Sequence, residues 1–428
     1  MRADPLVSTA ARLLQQALRF EHPADAVLAR FVREHRSLGS RERARLGDAL
    51  YAVLRRKRLF EHLARRGAQG VPPPDGQDLH ERLALLGLAL DGGGPMRALD
   101  EATNAWIEAC CGVDAATLPE ACRHNLPDWL ATRLQAEVED SFWPLAEALL
   151  QPAPLDVRVN ILKEKRPAAQ AQMAQAAIES EATPYSPWGL RVAGKPSLAR
   201  VPAFADGTIE VQDEGSQLLA LLLEARRNEL VVDFCAGAGG KTLAIGAAMR
   251  NTGRLYAFDT SAHRLEALKP RLARSGLANV HTAAIAHERD ARVKALTGKA
   301  DRVLVDAPCS GLGTLRRAPD IKWRTSAADV AAYAVQQAAI LRAAAALVKP
   351  GGRLVYATCS LLEEENEAVA GAFSAEERDF VPLHAGERLA ALKVPGADIL
   401  ATAAGHLRLW PHRHGTDGFF AALWQRKA

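Results

Sequence analysis

The sequence predicts an α/β protein: a larger portion built on a mainly parallel sheet with helices on both faces, a small α/β unit before it, and an all-helical amino-terminal region. Three observations carry this. From about residue 206, short apolar runs alternate with amphipathic helices, as in a sheet wound by crossover connections. Just after Leu150 the apolar period shortens to two, through Leu155, Val157, Val159 and Ile161. Before that, apolar residues recur at helical spacing.

At 428 residues the chain exceeds what one core serves, and the pattern changes divide it at 1–148, 149–205 and 206–428. A hydrophobic content of 48% is ample for folding, and the net charge of +4 leans only mildly towards polyanions. In the helical region Leu46, Leu50, Val53 and Leu54 follow Ser40, read as an N-cap. The same predicted helix carries the basic run Arg55-Arg56-Lys57-Arg58, with Arg65 and Arg66 beyond it; a solvated face and a phosphate-contacting surface are equally good readings. VPPPDG (Val71–Gly76) and DGGGP (Asp91–Pro95) read as loops. In the small unit an alanine- and glutamine-rich helix follows the first strand, and a further strand lies around Leu190 and Val192. The larger portion has strands at ELVVDF, RLYAFD, VHTAAI, DRVLVDAP and RLVYATC, with helices at LLALLLEA, TLAIGAAM, HRLEALKPRLARSG and VQQAAILRAAAALVK.

The amino terminus, with Arg2 and Asp4 ahead of an amphipathic run, lacks the apolar core of a signal peptide, and no apolar stretch is long enough to span a bilayer. These features predict a cytoplasmic protein. Its cysteines, Cys110, Cys111, Cys122, Cys235, Cys309 and Cys359, are then read as thiols. Cys110, Cys111, Cys122 and His124 contain no CxxC pair and fall on a helical pattern, so no metal is expected.

Cys235-Ala236-Gly237-Ala238-Gly239-Gly240-Lys241-Thr242 joins the first strand of the larger portion to a helix, where glycines admit a ligand close to the backbone. Three readings compete. A P-loop NTPase has Gly where Cys235 stands, although VLVDAP imitates its second motif. A dinucleotide fingerprint lacks its last glycine here. A methyltransferase site for S-adenosyl-L-methionine needs only the glycine turn and an acid after the second strand, which Asp259 supplies. No position violates this third reading.

DAPCSG places Asp306 and Cys309 after the fourth strand, and ATCS places Cys359 after the fifth. Most free cysteines are small buried hydrophobes. Two at neighbouring strand ends, each followed by Ser, read instead as an active-site pair. Carbon 5 of cytosine is a poor nucleophile until a thiolate adds at carbon 6. An acid near ring nitrogen 3, for which Asp306 is the candidate, stabilises that adduct, and a second thiol removes the carbon 5 proton to release the first. A nearby cation raises the thiolate fraction, and Lys241 is nearest by motif. Spacing alone leaves open which cysteine attacks.

These stretches resemble the Sun/Fmu (RsmB-like) family of RNA 5-methylcytosine methyltransferases. The resemblance rests on VQDEGSQ (Val211–Gln217), the loop from Cys235 to Lys241, DAPCSGLGTLRRAPDIKW from Asp306, YATCSLLEEENE from Tyr356 and HGTDGFF from His414, in that order and spanning almost everything beyond residue 150. FVREHRSLGSRERARLGDALYAVLRRKR is similar to the NusB-like RNA-binding region found in part of the family.

The resemblance implies a Rossmann-like class I methyltransferase domain with a small RNA-binding subdomain, acting on RNA, with small-subunit ribosomal RNA favoured over transfer RNA. It implies Cys359 as nucleophile and Cys309 as the releasing residue. Residues 235–241 would hold the methionine end of the cofactor, Asp259 its ribose, Asp306 would lie near methyl group and base, and Arg264 joins them as a further cofactor contact. Two positions depart from the family. Ala238 stands where Pro is usual, and Ile285-Ala286-His287-Glu288 stands where an Asp usually meets the adenine amino group, leaving Glu288, Asp290 or a backbone carbonyl to substitute. Arg316, Arg317, Lys322, Trp323 and Arg324 follow the DAPCSG motif, and clustered cations with an aromatic suit a phosphate backbone and a splayed base. Nothing in the pattern calls for more than a monomer. The competing classes are a P-loop-like NTPase and a non-catalytic RNA-binding protein; the latter needs neither thiol.

Overall fold

The computed structural model describes residues 5–90 and 99–428, so the Asp91–Pro95 loop, Arg2 and Asp4 lie outside the described residues. The chain forms two compact units, Met1–Pro152 with Thr314–Ala327, and Ala153–Gly313 with Ala328–Ala428.

The first unit is helical. Pro5–Ala17, Ala24–Glu34, Ser40–Arg55, Lys57–Arg66, Leu79–Leu90 and Glu101–Cys111 enclose a core that includes Leu13, Phe31, Leu46, Leu50, Val53, Phe60, Leu83 and Trp106. The N-cap of the third helix is Gly39 rather than Ser40; its N–H donates to the Glu42 carboxylate at 2.7 Å, so the acid caps the turn in place of a serine hydroxyl. The basic run is not carried on one helix. The chain breaks at Arg56, Arg55 is buried with its guanidinium donating to the Arg316 carbonyl at 3.1 Å, and Lys57 and Arg58 pair with Glu61 and Asp128. Cys110 belongs to this core, and His124 accepts from the Leu126 N–H at 3.0 Å. Thr314–Ala327, which the sequence pattern assigns to the larger portion, packs in the helical unit.

The second unit holds two sheets. Strands β1 (Leu155–Val159), β2 (Ser180–Ala182), β3 (Gly189–Val192) and β4 (Ile209–Val211) form an antiparallel sheet in the order β2-β3-β1-β4. Because β4 pairs with β1, the small unit continues past the expected boundary at residue 205. The expected half-buried strand is also covered on both faces. Asp156 and Arg158 are buried, Asp156 in a two-pronged pair with Arg191 and Arg158 donating to the Gly240 carbonyl at 3.4 Å.

The main sheet contains β5 (Leu230–Asp233), β6 (Arg254–Asp259), β7 (Val280–Ala284), β8 (Ala300–Asp306), β9 (Val348–Thr358), β10 (Phe380–Leu383), β11 (Leu407–Leu409) and β12 (Phe419–Arg426). Its order is β10-β12-β9-β8-β5-β6-β7, with β11 beside β12. The strands from β5 to β9 pair in parallel, and β10, β11 and β12 add an antiparallel edge. Val232, Val303, Val305, Leu354 and Tyr356 are buried under the flanking helices, which is why these strands read as continuous apolar runs. Strand order reverses between β5 and β8, so a crevice opens at their carboxyl ends.

Candidate active site

The glycine loop leaves β5 and enters the helix Gly240–Ala248. Gly239 takes a left-handed conformation with φ of 83°, and a Cβ there would lie 2.0 Å from the Leu268 side chain, so only glycine fits. The Gly237 N–H donates to Asp259 Oδ2 at 2.8 Å and the Ser261 N–H to Oδ1 at 2.7 Å, which fixes the carboxylate that ends β6. Arg271 donates to the Ala238 carbonyl, a tie that holds the turn.

Cys235, Ala236, Gly237, Ala238, Gly240, Lys241, Asp259, Arg264, Asp306, Cys309 and Cys359 line one cavity of about 570 Å³ at this end of the sheet. Gly239 does not; its part is steric. The sequence reading missed Gln212, Tyr333 and Gln336, which also line it. Gln212 lies in the VQDEGSQ block. Tyr333, Gln336 and Ile340 share one face of the helix Ala327–Ala345, which begins eight residues before the expected VQQAAILRAAAALVK helix, so that face was not seen whole. Of the two acids considered after the third strand, Glu288 reaches the cavity. The Asp290 carboxylate instead accepts from the N–H groups of Ala286 and Arg292 at 3.0 and 2.9 Å, capping a short helix.

Two buried acceptors among the lining residues, Asp233 Oδ1 and Gln212 Oε1, find no donor among the described residues. The other Asp233 oxygen accepts from Thr242 at 2.6 Å. Burial pushes the Asp233 carboxyl up to about 7, with the charges of Asp306 and Asp259 acting in the same direction. A ligand with an ammonium group satisfies such acceptors, and S-adenosylmethionine carries one; the residues fit it.

Cys309 and Cys359 end neighbouring parallel strands, and their sulfur atoms are 3.3 Å apart, both as free thiols. The hydrogen bond with Cys359, then burial, then the charge of Cys359 push the Cys309 thiol well above the usual range. Of the two thiols, Cys309 is the one whose surroundings favour the protonated form. Lys241 donates to Asp306 at 2.7 Å instead of extending to phosphates as a P-loop lysine does. Burial works to lower its ammonium, but the carboxylate of Asp306 and the charges of Cys359 and Asp233 raise it overall, so a cation persists beside the thiols.

Arg316, Arg317, Lys322, Trp323 and Arg324 all belong to the helical unit. Lys322 is 2% exposed and its ammonium donates to the Arg55 carbonyl at 2.9 Å, while the Trp323 indole N–H donates to the Leu54 carbonyl at 2.7 Å. Lys322 packs this unit, against the expectation that it faces RNA, while Trp323 is half-buried against the helical core. Arg316, Arg317 and Arg324 are half-buried. Among the described residues no cluster of His, Cys, Asp or Glu is arranged to hold a metal ion, and no helix is long and apolar enough to cross a membrane.

The profile of the 16S rRNA methyltransferase RsmB/F family matches residues 220–425, and that of its ferredoxin-like domain matches residues 126–199. A probable ribosomal RNA small subunit methyltransferase B from Synechocystis sp. is 31% identical over 452 residues, covering 96% of this chain and 97% of the relative. A counterpart from Bacillus subtilis is 36% identical over 309 residues, 70% of this chain and 66% of its own length. The crystal structure of a methyltransferase homolog protein from Pyrococcus horikoshii superposes with a TM-score of 0.61 at 28% identity, over 73% of this chain and all of the other. With the thiol pair, the glycine turn and near full-length similarity in agreement, the chain belongs to the RsmB/F family of S-adenosylmethionine-dependent RNA methyltransferases.

Proposed function

We propose that this methyltransferase modifies carbon 5 of a cytosine in small-subunit ribosomal RNA, with Cys359 as nucleophile and Cys309 as the releasing base. The observation that carries the reading is the 3.3 Å approach of the two sulfur atoms on the wall of the cavity. S-adenosylmethionine, held by the loop from Cys235 to Lys241 with Asp259, Arg264 and Glu288, supplies an electrophilic methyl group when bound.

The Cys359 thiolate adds to carbon 6, and the electrons of the 5,6 double bond move to carbon 5, which takes the methyl group. Asp306, oriented by Lys241, holds the edge of the base around ring nitrogen 3. Once Cys359 is a thioether, its hydrogen bond and charge no longer keep the proton on Cys309. Cys309 then gives its own proton to solvent, and the resulting thiolate takes the proton from carbon 5; the double bond reforms and the Cys359 sulfur leaves as a thiolate. The chemistry requires reduced thiols, which a cytoplasmic setting supplies. Arg316, Arg317 and Arg324 are assigned to the RNA backbone.

Incubation with RNA and cofactor, followed by denaturing electrophoresis, tests the roles. Cys309→Ala is expected to accumulate a covalent protein–RNA species and Cys359→Ala to form none. The reverse pattern exchanges the roles; no adduct with either variant refutes the mechanism. Bisulfite sequencing of ribosomal RNA from a deletion strain tests the target.

A further inference from the structure

Glu365, fully buried just after the Cys359 turn, reaches both thiol loops with one carboxylate. Its Oε1 accepts from the Ser310 N–H at 2.8 Å and from Gln337 Nε2 at 3.1 Å. Its Oε2 accepts from the Ser310 hydroxyl at 2.5 Å and from the Ser360 hydroxyl, and those two hydroxyls are 3.2 Å apart. Ser310 and Ser360 are the residues that directly follow Cys309 and Cys359. A buried carboxyl is tolerated where its oxygens find donors, and here four converge on it from three places in the chain. Neither serine nor glutamate lines the cavity.

We propose that Glu365 is a positioning residue that sets the spacing of the two thiols and governs the release step more than the attack. This rests on the two-thiol reading above. The asymmetry follows from what else holds each loop. The Cys359 turn keeps three further ties: the Ser360 N–H donates to the Thr358 hydroxyl at 3.2 Å, Asn366 Nδ2 to the Ser360 carbonyl at 3.1 Å, and the Gly313 N–H to the Cys359 carbonyl at 2.8 Å. The Cys309 loop shares the Gly313 tie and keeps the Ala307 N–H bond to the Ala357 carbonyl at 2.9 Å, but Ser310, the residue after Cys309, gives both its N–H and its hydroxyl to Glu365. The loop depends on Glu365 again through Gln337, which donates to the Pro308 carbonyl at 2.9 Å and is anchored on Glu365 and the Tyr356 hydroxyl. Loss of the carboxylate therefore loosens the Cys309 side more than the Cys359 side.

Glu365→Ala risks misfolding, so the test uses Glu365→Gln, which keeps one acceptor oxygen but puts an amide donor where two hydroxyls must donate. Wild type, Glu365→Gln, Ser310→Ala and Cys309→Ala are compared with RNA and S-adenosylmethionine, with cofactor affinity read separately by calorimetry. In Glu365→Gln the expected result is turnover lowered about 10-fold, cofactor affinity unchanged, and a several-fold rise in the enzyme fraction trapped on RNA, towards that of Cys309→Ala. Ser310→Ala moves the trapped fraction the same way by less. Wild-type turnover and trapping in Glu365→Gln would overturn the proposal, as would loss of turnover with no adduct, which marks general loosening of the site. If wild type makes no 5-methylcytosine and Cys309→Ala traps no RNA, the two-thiol reading fails and this proposal with it.

Discussion

The Cys309 sulfur lies 3.3 Å from that of Cys359, and this contact is the first reason that Cys309 holds its proton so firmly. Replacing Cys359 by Ala removes both the hydrogen bond and the charge, leaving burial and the charge of Glu365 to raise the thiol. Alkylation of Cys309 by iodoacetamide, followed against pH by mass spectrometry, should therefore begin about 1 pH unit or more lower in Cys359→Ala than in wild type. An unmoved curve, or one shifted upward, contradicts the assignment of the proton to Cys309.

Cofactor binding should depend on pH through Asp233. Its carboxyl, raised from the ordinary carboxylate range to about 7, is largely protonated in the free protein below that pH and ionised above it. An ammonium group favours the ionised form, so binding at low pH must expel a proton. Affinity for S-adenosylmethionine should be flat above pH 7 and fall by up to ~10-fold per unit below it, with proton release visible by calorimetry in two buffers. Asp233→Asn should flatten this dependence and bind about 10-fold more weakly at pH 8. An unchanged profile in that variant removes Asp233 from the ammonium site.

The parallel strands were legible because burial on both faces leaves uninterrupted apolar runs: RLYAFD coincides with β6 residue for residue. The thiol pair was legible because both cysteines follow such runs. Of the antiparallel edge only a terminal hairpin around His412 and His414 was legible, which β11 and β12 form; the central place of FFAALWQR between β9 and β10 was not, since it shows no alternation to mark it as a strand. Glu365 was invisible for a different reason. A run of three glutamates reads as a solvated turn, and nothing local says that the third points inward to two serines 5 and 55 residues away. Lys322 misled in the opposite sense, as a lysine beside Trp and Arg reads as surface charge until the helical unit closes over it.

Gly313 and Gly418 meet backbone to backbone behind Cys359. A Cβ on Gly313 would lie 2.2 Å from the Gly418 carbonyl oxygen and 2.7 Å from that of Cys359. Neither is the end of a flexible side chain, so Gly313→Ala must shift the Cys359 turn itself. The expected cost is ~1–3 kcal/mol in urea unfolding, accompanied by reduced adduct formation in the Cys309→Ala background. Full stability with full trapping would show that the turn yields without consequence.

The salt dependence of RNA binding separates the cations that follow the DAPCSG motif. Burial, reinforced by Arg55, Arg56 and Arg58, pushes the Lys322 amine far below its ordinary value, and its nitrogen is committed to the Arg55 carbonyl. A buried nitrogen committed to a backbone carbonyl meets no phosphate and releases no counterions from a phosphate backbone. Arg317, half-buried on the same segment, carries a charge that burial cannot remove at neutral pH. Lys322→Met should therefore leave the slope of log K against log salt unchanged, while Arg317→Ala should reduce its magnitude by ~0.7 for a single-stranded contact. A slope lowered by Lys322→Met would mean that the segment opens on RNA to expose the lysine. An unchanged slope in Arg317→Ala would take this arginine out of the RNA interface.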